Sequence, residues 1–225
     1  FDKSIPAHYT LRQAAKNGFV FPEFYGDYYK NCAGGLCEWG KLPKAKWKSE
    51  MGLELPTGFL SDHLIKNGIK SFEDFVSHVR KIENNFWNKR FPVYRQWKED
   101  WWEAYQKKGY FDTLTNFRCN GVMWKNDAIN YPVQGSAFHC LLWSFNEIDR
   151  IMRREKWDTK LVGQIHDAII LDVTPKELDY VIKVVKHVTC KALPMYWPWI
   201  IVPLDIDIEI CDVDASWSEK KKYKA

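Results

Sequence analysis

The chain has 225 residues, 46% of them hydrophobic, and a formal net charge of +4, so it can bury one large core or two modest ones. So small a positive charge does not by itself identify a nucleic-acid-binding protein. No apolar run approaches the length of a membrane span, and the six cysteines lack the paired spacing of zinc ligands. We therefore expect a cytoplasmic protein with reduced thiols, no structural zinc and no membrane partner.

The first half of the chain has helical periodicity, with apolar residues at steps of three and four. Its predicted segments, in chain order, are a helix from Ile5 to Tyr29 interrupted near Gly18 and Pro22, a loop over 31–40, short helices over 59–64 and 71–79, and a long helical region from Ser71 that resumes after Pro92 and ends at Gly109.

The second half mixes strands and helices. Its predicted segments are an extended stretch over 109–114, a helix with Pro132 in its first turn that runs to Arg154, a hairpin of 161–165 with 168–171, a helix from Thr174 to about Leu193, and a half-buried strand over 202–210. The pattern predicts an α+β fold, mostly helical at first and followed by a small antiparallel sheet packed on helices.

Two cations, Arg12 and Lys16, lie four residues apart and so share one face of the first helix. Such a pair can bind different phosphates of a triphosphate, while the alternative is an ordinary solvated face. The aromatic residues that follow, Phe19, Phe21 and Tyr25, favour a face that receives a charged nucleotide.

Two amides, Asn130 and Gln134, are also four residues apart, at a predicted helix start. Both can donate hydrogen bonds to the acceptors that all base pairs present in the minor groove. The alternative is that Asn130 only caps the helix.

The hairpin places His166 and Asp167 at its turn. A tight turn holds a carboxylate at a rigid, exposed tip, which is where a metal ligand is useful. An aspartate in a turn more often bonds only to its own backbone, so this motif depends on its context.

These motifs together resemble the family A DNA polymerases, the group of bacterial DNA polymerase I and its phage and mitochondrial relatives. Three family patterns occur in the family's order. They are R-x3-K followed by an aromatic and Y-G (Arg12, Lys16, Tyr25, Gly26), N-x-P-x-Q-G (Asn130 to Gly135) and Q-x-H-D (Gln164 to Asp167). Flanking sequence around Phe91-Pro92 and from Val202 to Trp217 is similar as well, and the whole has a phage-type character.

The resemblance implies a fingers subdomain over 1–114, with a nucleotide-binding helix at about 8–25, and the carboxyl-terminal part of a palm over 115–225, with the hairpin at about 161–172. It implies template-directed DNA synthesis, with nucleotidyl transfer from a dNTP to a primer 3′ hydroxyl. The implied roles are phosphate binding by Arg12 and Lys16, contact with the templating base by Tyr25, primer-template binding by Asn130, Gln134 and His166, and magnesium binding by Asp167.

Three departures from the family pattern qualify this resemblance. The family's other catalytic aspartate lies further upstream than the eleven residues that precede Arg12. We therefore expect the amino-terminal part of the polymerase, in the same polypeptide or a separate chain, to supply the second carboxylate of a two-metal Mg²⁺ site. Ala168 replaces a frequent glutamate. Asn126 replaces a frequent arginine, so primer contacts are expected to shift toward Arg118.

A fourth departure is the spacing from Lys16 to Tyr25, which is one residue longer than in the family. An unbroken α-helix would turn Tyr25 about 100° away from the cationic face. We predict a one-residue π-type bulge between Gly18 and Pro22, because Pro22 cannot donate a hydrogen bond to the Gly18 carbonyl. Phe21 then becomes the ring that stacks on the nucleotide, with Phe19 as the second choice.

Two other functions compete with DNA synthesis. Single-subunit RNA polymerases share the palm and a His-Asp turn, although the Q-G of the second motif favours the DNA enzyme. A nucleic-acid-binding remnant without catalysis is the non-enzymatic alternative, in view of the missing aspartate and Ala168.

Overall fold

A computed structural model of the protein describes residue 2 and residues 4–223. The α-helices are α1 Pro6–Ala15, α2 Phe21–Phe24, α3 Tyr29–Trp39, α4 Leu60–Lys66, α5 Phe72–Asn85, α6 Pro92–Lys108, α7 Lys125–Glu155, α8 Leu178–His187 and α9 Leu193–Tyr196. The π-helical segments are Lys16–Val20, Phe86–Arg90 and Val188–Ala192, and the 3₁₀ turns are Pro175–Glu177 and Trp217–Glu219. The strands are β1 Glu54–Leu55, β2 Gly58–Phe59, β3 Tyr110–Asp112, β4 Arg118–Asn120, β5 Lys160–Ile165, β6 Ala168–Asp172, β7 Glu209–Ile210 and β8 Lys221–Lys222.

Within the described residues the strands form four two-stranded antiparallel pairs, each joining consecutive strands. The α+β expectation is confirmed. The chain divides into two compact units, residues 1–133 and 134–225. This division falls within α7, later than the subdomain boundary expected after residue 114, and the assignment of fingers and palm stays a prediction.

The first unit is built on helices whose ends follow local sequence rules. The Ser71 hydroxyl accepts a hydrogen bond from the Asp74 backbone N–H at 3.2 Å and so caps α5, at the residue where a helix start was expected. The α6 helix ends where Gly109 adopts a left-handed φ of 73°, which glycine adopts without strain. Both helix boundaries could therefore be predicted from single residues.

The prediction of a loop over 31–40 is wrong, because most of these residues belong to α3. Its two consecutive glycines, Gly34 and Gly35, lie inside the helix and form no turn. A Cβ on Gly35 would lie 3.9 Å from the Gly18 Cα, and one on Gly18 would lie 3.2 Å from the Leu36 side chain. The contact at Gly35 is an ordinary one and that at Gly18 is tight, so it is Gly18 that allows the Lys16–Val20 segment to approach α3 closely.

The start predicted for the helix at Pro132 is also wrong, since α7 begins at Lys125 and contains Pro132 in its interior. Proline has no N–H to donate to the carbonyl four residues earlier, which belongs to Ala128. The Trp101 indole N–H from α6 donates to that carbonyl at 2.9 Å. A side chain from another helix therefore satisfies the backbone group that Pro132 leaves free.

The second unit packs the β5–β6 hairpin and α8 around the carboxyl half of α7. Its buried core comprises Ile148, Met152, Trp157, Val181 and Val188, with Leu161, Ile169 and Leu171 of the hairpin packed against it. The strand predicted over 202–210 keeps its alternation of burial, but only Glu209–Ile210 pairs with a partner, Lys221–Lys222, within the described chain. Ile208 also accepts a backbone hydrogen bond from Tyr223 at 2.8 Å, while residues 202–207 belong to none of the strands found in the described chain.

Candidate functional site

The predicted nucleotide-binding helix is interrupted by a π-helical segment at Lys16–Val20. The Phe21 backbone N–H donates to the Lys16 carbonyl, five residues earlier, and regular α-helical bonding resumes with Tyr25 donating to Phe21 at 2.9 Å. The prediction of a one-residue bulge is confirmed, and the bulge begins two residues nearer the amino end than expected. The extra residue is thereby absorbed before Phe21.

Because of this bulge, Lys16, Phe21 and Tyr25 lie on one exposed face. The Phe21 and Tyr25 rings are stacked, with centroids 6.0 Å apart and an interplanar angle of 24°. The Lys16 ammonium lies 4.9 Å from the Phe21 centroid. The Arg12 side chain is exposed as well, one helical turn before Lys16. Sequence reasoning therefore found a real cluster of a cation and two aromatic rings.

The two candidate stacking rings have opposite environments. Phe21 is 40% exposed, whereas Phe19 is 8% exposed and packs edge-on against Phe86 with centroids 5.4 Å apart. Phe19 therefore belongs to the core. Phe21 alone of the two can present a flat surface to a ligand.

An open cleft of about 620 Å³ adjoins this face. It is lined by Asn17, Phe21, Pro22, Tyr25, Asp27 and Asn126. The lining combines aromatic rings with amide and carboxylate groups, and such a mixture suits a ligand with both a flat ring and polar edges.

The start of α7 holds the carboxyl end of this helical region. The Asn130 amide donates to the Tyr25 carbonyl at 3.3 Å. The backbone at Gly26 has a φ of 91°, and a Cβ there would overlap with the Asn126 side-chain oxygen. Asn130 lies inside α7, so the alternative in which it only caps a helix is excluded.

Sequence reasoning missed an acidic residue on the opposite side of α2. Glu23 is fully buried, and its carboxylate accepts a hydrogen bond from the Trp87 indole at 2.7 Å. Burial raises the pKa of Glu23 to about 7. The available signal was a single acid set among aromatic residues, in the stretch Phe21-Pro-Glu-Phe-Tyr25.

The Arg118 guanidinium is paired within the β3–β4 hairpin. It donates two hydrogen bonds to the Asp112 carboxylate, at 2.8 and 2.9 Å, and lies 4.2 Å from the Tyr110 ring centroid. The hydrogen bonds from Arg118 lower the pKa of Asp112 below its usual range. A DNA phosphate would have to compete with Asp112 for this cation, and DNA binding by Arg118 stays a prediction.

The remaining site residues, Gln134, His166 and Asp167, belong to the second unit and are exposed. The hairpin is as predicted: Ile165 pairs with Ala168, and His166 and Asp167 form the two-residue turn. His166 adopts a left-handed φ of 51°, and its carbonyl accepts a hydrogen bond from the Gln164 side chain. The turn thus holds Asp167 at the tip of the hairpin.

Asp167 is the carboxylate expected to bind magnesium. Among residues 2 and 4–223, no group of three or more His, Cys, Asp or Glu side chains could hold a metal ion. Magnesium requires several oxygen ligands in octahedral geometry. The described residues therefore do not fit a complete magnesium site, and Asp167 offers a single carboxylate.

The fold resembles that of a solved polymerase structure. This is the POL domain of Pol1 from M. smegmatis, in complex with DNA primer-template and dNTP, with a TM-score of 0.54, 18% identity, and coverage of 80% of this chain and 27% of that chain. The fold class is therefore that of an α+β polymerase domain. None of the helices in the described part has the length and apolar character needed to cross a membrane.

Sequence comparison defines the family. The model of DNA polymerase family A matches residues 77–219. DNA polymerase I of Lactococcus lactis subsp. lactis is 30% identical over 152 residues, which cover 62% of this chain and 16% of that protein. DNA polymerase I of Streptococcus pneumoniae serotype 4 is 30% identical over 123 residues, covering 49% of this chain and 14% of that protein. The chain belongs to DNA polymerase family A, and it spans about one sixth of the length of these relatives. Its expected phage type stays a prediction.

Proposed function

We propose that this chain contributes the nucleotide-binding fingers and part of the palm to a DNA-directed DNA polymerase. The observation that carries the proposal is the exposed face of Lys16, Phe21 and Tyr25 beside an open cleft, which the π-helical segment assembles. Family membership and the polymerase fold support it. The reaction is transfer of a nucleotidyl group from a dNTP to a primer 3′ hydroxyl, with release of pyrophosphate.

In this proposal the incoming dNTP lies along the face of the first helices. Arg12 and Lys16 bind its phosphates and offset the charge of the pyrophosphate as it leaves. Phe21 stacks on the nucleotide, and Tyr25 lies beside the templating base. The Lys16 ammonium near the Phe21 ring supports this arrangement, because it brings a cation and a stacking surface together.

Primer-template DNA is the second proposed partner. Asn130, Gln134, His166 and Arg118 contact it, the amides through minor-groove acceptors. Asp167 supplies one carboxylate of a magnesium site, and the amino-terminal part of the polymerase supplies the other. A cytoplasmic location belongs to the same proposal.

Binding of dATP to the chain tests the nucleotide site directly. Replacing Arg12 and Lys16 by Ala removes two charge-assisted contacts, each worth about 1.5–3 kcal/mol, so the Kd should rise by at least tenfold. Lys66→Ala, an exposed lysine in the last turn of α4, is the matched control and should leave Kd unchanged. Equal Kd values for the double variant and the control would refute the phosphate-binding role.

Primer extension by the chain joined with its amino-terminal part tests the palm. Asp167→Ala should abolish synthesis, whereas Asp172→Ala, at the exposed far end of the same hairpin, should retain it. Use of rNTPs in preference to dNTPs would favour the RNA polymerase alternative. Synthesis that survives Asp167→Ala would remove the catalytic assignment and favour a non-catalytic nucleic-acid-binding role.

A further inference from the structure

A buried carboxyl group lies directly behind the proposed nucleotide face. Glu23 is in α2, two residues after Phe21 and two before Tyr25. Two residues turn an α-helix by about 200°, so its side chain points away from the two rings. Glu23 is 0% exposed, while the two rings are 40% and 42% exposed. One short helix therefore carries the rings outward and the acid inward.

The Glu23 carboxyl group connects α2 to three other elements. Its Oε2 accepts the Trp87 indole N–H at 2.7 Å, from the Phe86–Arg90 segment, and its Oε1 lies 3.5 Å from the Cys32 thiol of α3. The Glu83 carboxyl group of α5 also acts on Glu23 and raises its pKa. Glu83 in turn accepts the Tyr29 backbone N–H at 2.7 Å, at the start of α3. The position of α2 in the fingers thus depends on this group.

A hydrogen bond between Glu23 and Glu83 requires a proton, because two carboxylates offer only acceptors. Burial raises the pKa of Glu23, and the charge of Glu83 acts in the same direction, while the hydrogen bonds from Trp87 and Cys32 oppose it. The Cys32 thiol, whose own pKa is raised by burial, stays neutral. The Lys98 ammonium of α6 lies 3.5 Å from the Trp87 ring centroid, and burial lowers its pKa.

We propose that Glu23 is a positioning residue for nucleotide binding: as a neutral acid it donates to Glu83 and fixes Phe21 and Tyr25 at the cleft, and its ionisation breaks this link. The proposal rests on the nucleotide-binding function given above. Ionised Glu23 would face the Glu83 carboxylate inside the core, and like charges at hydrogen-bond distance repel. The α2 helix would then lose its link to α5, and the two rings would lose their fixed orientation.

The consequence is an affinity for dNTP that falls above neutral pH. One pH unit above its pKa, an acid is about one tenth protonated. If only the chain with protonated Glu23 keeps the two rings in position for dNTP, the apparent Kd is inversely proportional to the protonated fraction. The Kd then rises about tenfold between pH 6 and pH 8. In a synthesis assay the change should be in KM for dNTP, with kcat maintained at saturating dNTP.

Glu23→Gln is the conservative variant that tests this. Its amide can accept the Trp87 N–H and donate to Glu83 at every pH, so it imitates the neutral acid. Calorimetry with dATP and the full chain at pH 6, 7 and 8 gives Kd for both proteins. The triphosphate also titrates, with a second phosphate pKa of about 6, so the quantity of interest is the ratio of the two Kd values. This ratio, native over variant, should rise about tenfold from pH 6 to pH 8.

The Trp87 indole N–H resonance in ¹⁵N-resolved NMR gives a readout that needs no nucleotide. It should titrate in the native chain and stay constant in Glu23→Gln. Glu83→Gln is a second variant, because its amide can donate a hydrogen bond to an ionised Glu23. This variant should shift the titration of the Trp87 resonance to lower pH. It should also remove the loss of dATP affinity at pH 8.

The outcomes separate the two proposals. A Kd ratio that is constant from pH 6 to pH 8 while both proteins bind dATP overturns the positioning role alone. A Trp87 resonance that does not titrate in the native chain also overturns it. Absence of dATP binding by both proteins at every pH overturns the proposed function, and the positioning role with it.

Discussion

The proton on Glu23 predicts an unusual dependence of stability on pH. The pKa of this carboxyl group rises from its ordinary 4.5 to about 7 on folding. The folded chain therefore binds the proton more tightly than the unfolded chain. The resulting stabilisation is fully present below the ordinary pKa and is lost as the pH rises through about 7. The interval between the two pKa values corresponds to about 3 kcal/mol in the free energy of unfolding.

The perturbed surface carboxyl groups act outside this window of pH. Hydrogen bonds lower the pKa of several surface carboxyl groups, so their stabilisation is lost only when the pH falls below the usual carboxyl range. These groups are Asp2, Asp62, Asp74, Asp112, Glu155 and Glu177. Burial raises the pKa of the Cys37 thiol to about 11, so this group stays neutral below pH 8. Glu23 should therefore dominate the difference between native and variant chains from pH 5 to pH 8.

Urea unfolding at pH 5, 6, 7 and 8, followed by circular dichroism, measures this effect. The native chain should lose about 3 kcal/mol across the series, while Glu23→Gln should remain nearly constant. The difference between the two proteins at each pH removes contributions that they share, including those of the second unit. Parallel curves for the two proteins would refute the reasoning, and so would a native stability that rises from pH 5 to pH 8.

Three further predictions concern the helix that carries the proposed nucleotide face. Deletion of Asn17 should convert the π-helical segment into α-helix and change the free energy of unfolding by only about 1 kcal/mol. A deletion inside α5 should instead rotate all later residues of α5 by about 100° and unfold the chain. Urea titration of both variants measures the difference. Phe21→Ala should weaken dATP binding in calorimetry with little change in stability, and Phe19→Ala should instead cost about 3–5 kcal/mol of stability. Gly26→Ala should lower the free energy of unfolding by about 1–2 kcal/mol or more. Adding Asn126→Ala should recover the loss caused by overlap with the Asn126 side chain, but not the loss caused by the left-handed φ. A double-mutant cycle separates the two contributions.

Local rules in the sequence predicted the elements whose ends depend on single residues. Ser71 and Gly109 fixed helix boundaries through a side-chain cap and a left-handed φ, and the two apolar runs on either side of His166 and Asp167 predicted the hairpin. The Lys16 to Tyr25 spacing predicted a bulge because the helix period converts one residue into a known rotation. The candidate cluster at the first helices was therefore available from the sequence.

The elements that sequence reasoning missed depend on contacts between distant segments. The glycines of α3 resembled a loop, although they lie inside a helix of the folded chain. Pro132 resembled a helix start, because the Trp101 indole that bonds to the Ala128 carbonyl comes from another helix. Glu23 was not singled out from the sequence, because Trp87 and Glu83, which act on it, lie some sixty residues along the chain. No local pattern encodes such partners.

The π-helical segment fixes the outer and inner faces of the helix together. In an unbroken α-helix from Lys16, Val20 would occupy the place of Phe21 four residues after the cation, and every later side chain would be rotated by about 100°. That rotation would move Tyr25 off the exposed face and would also turn Glu23 away from Trp87 and Glu83. One inserted residue therefore aligns the proposed ligand face and the buried acid at the same time. This common geometric origin is why a change of charge at Glu23 should be felt at the rings on the other side of the same helix.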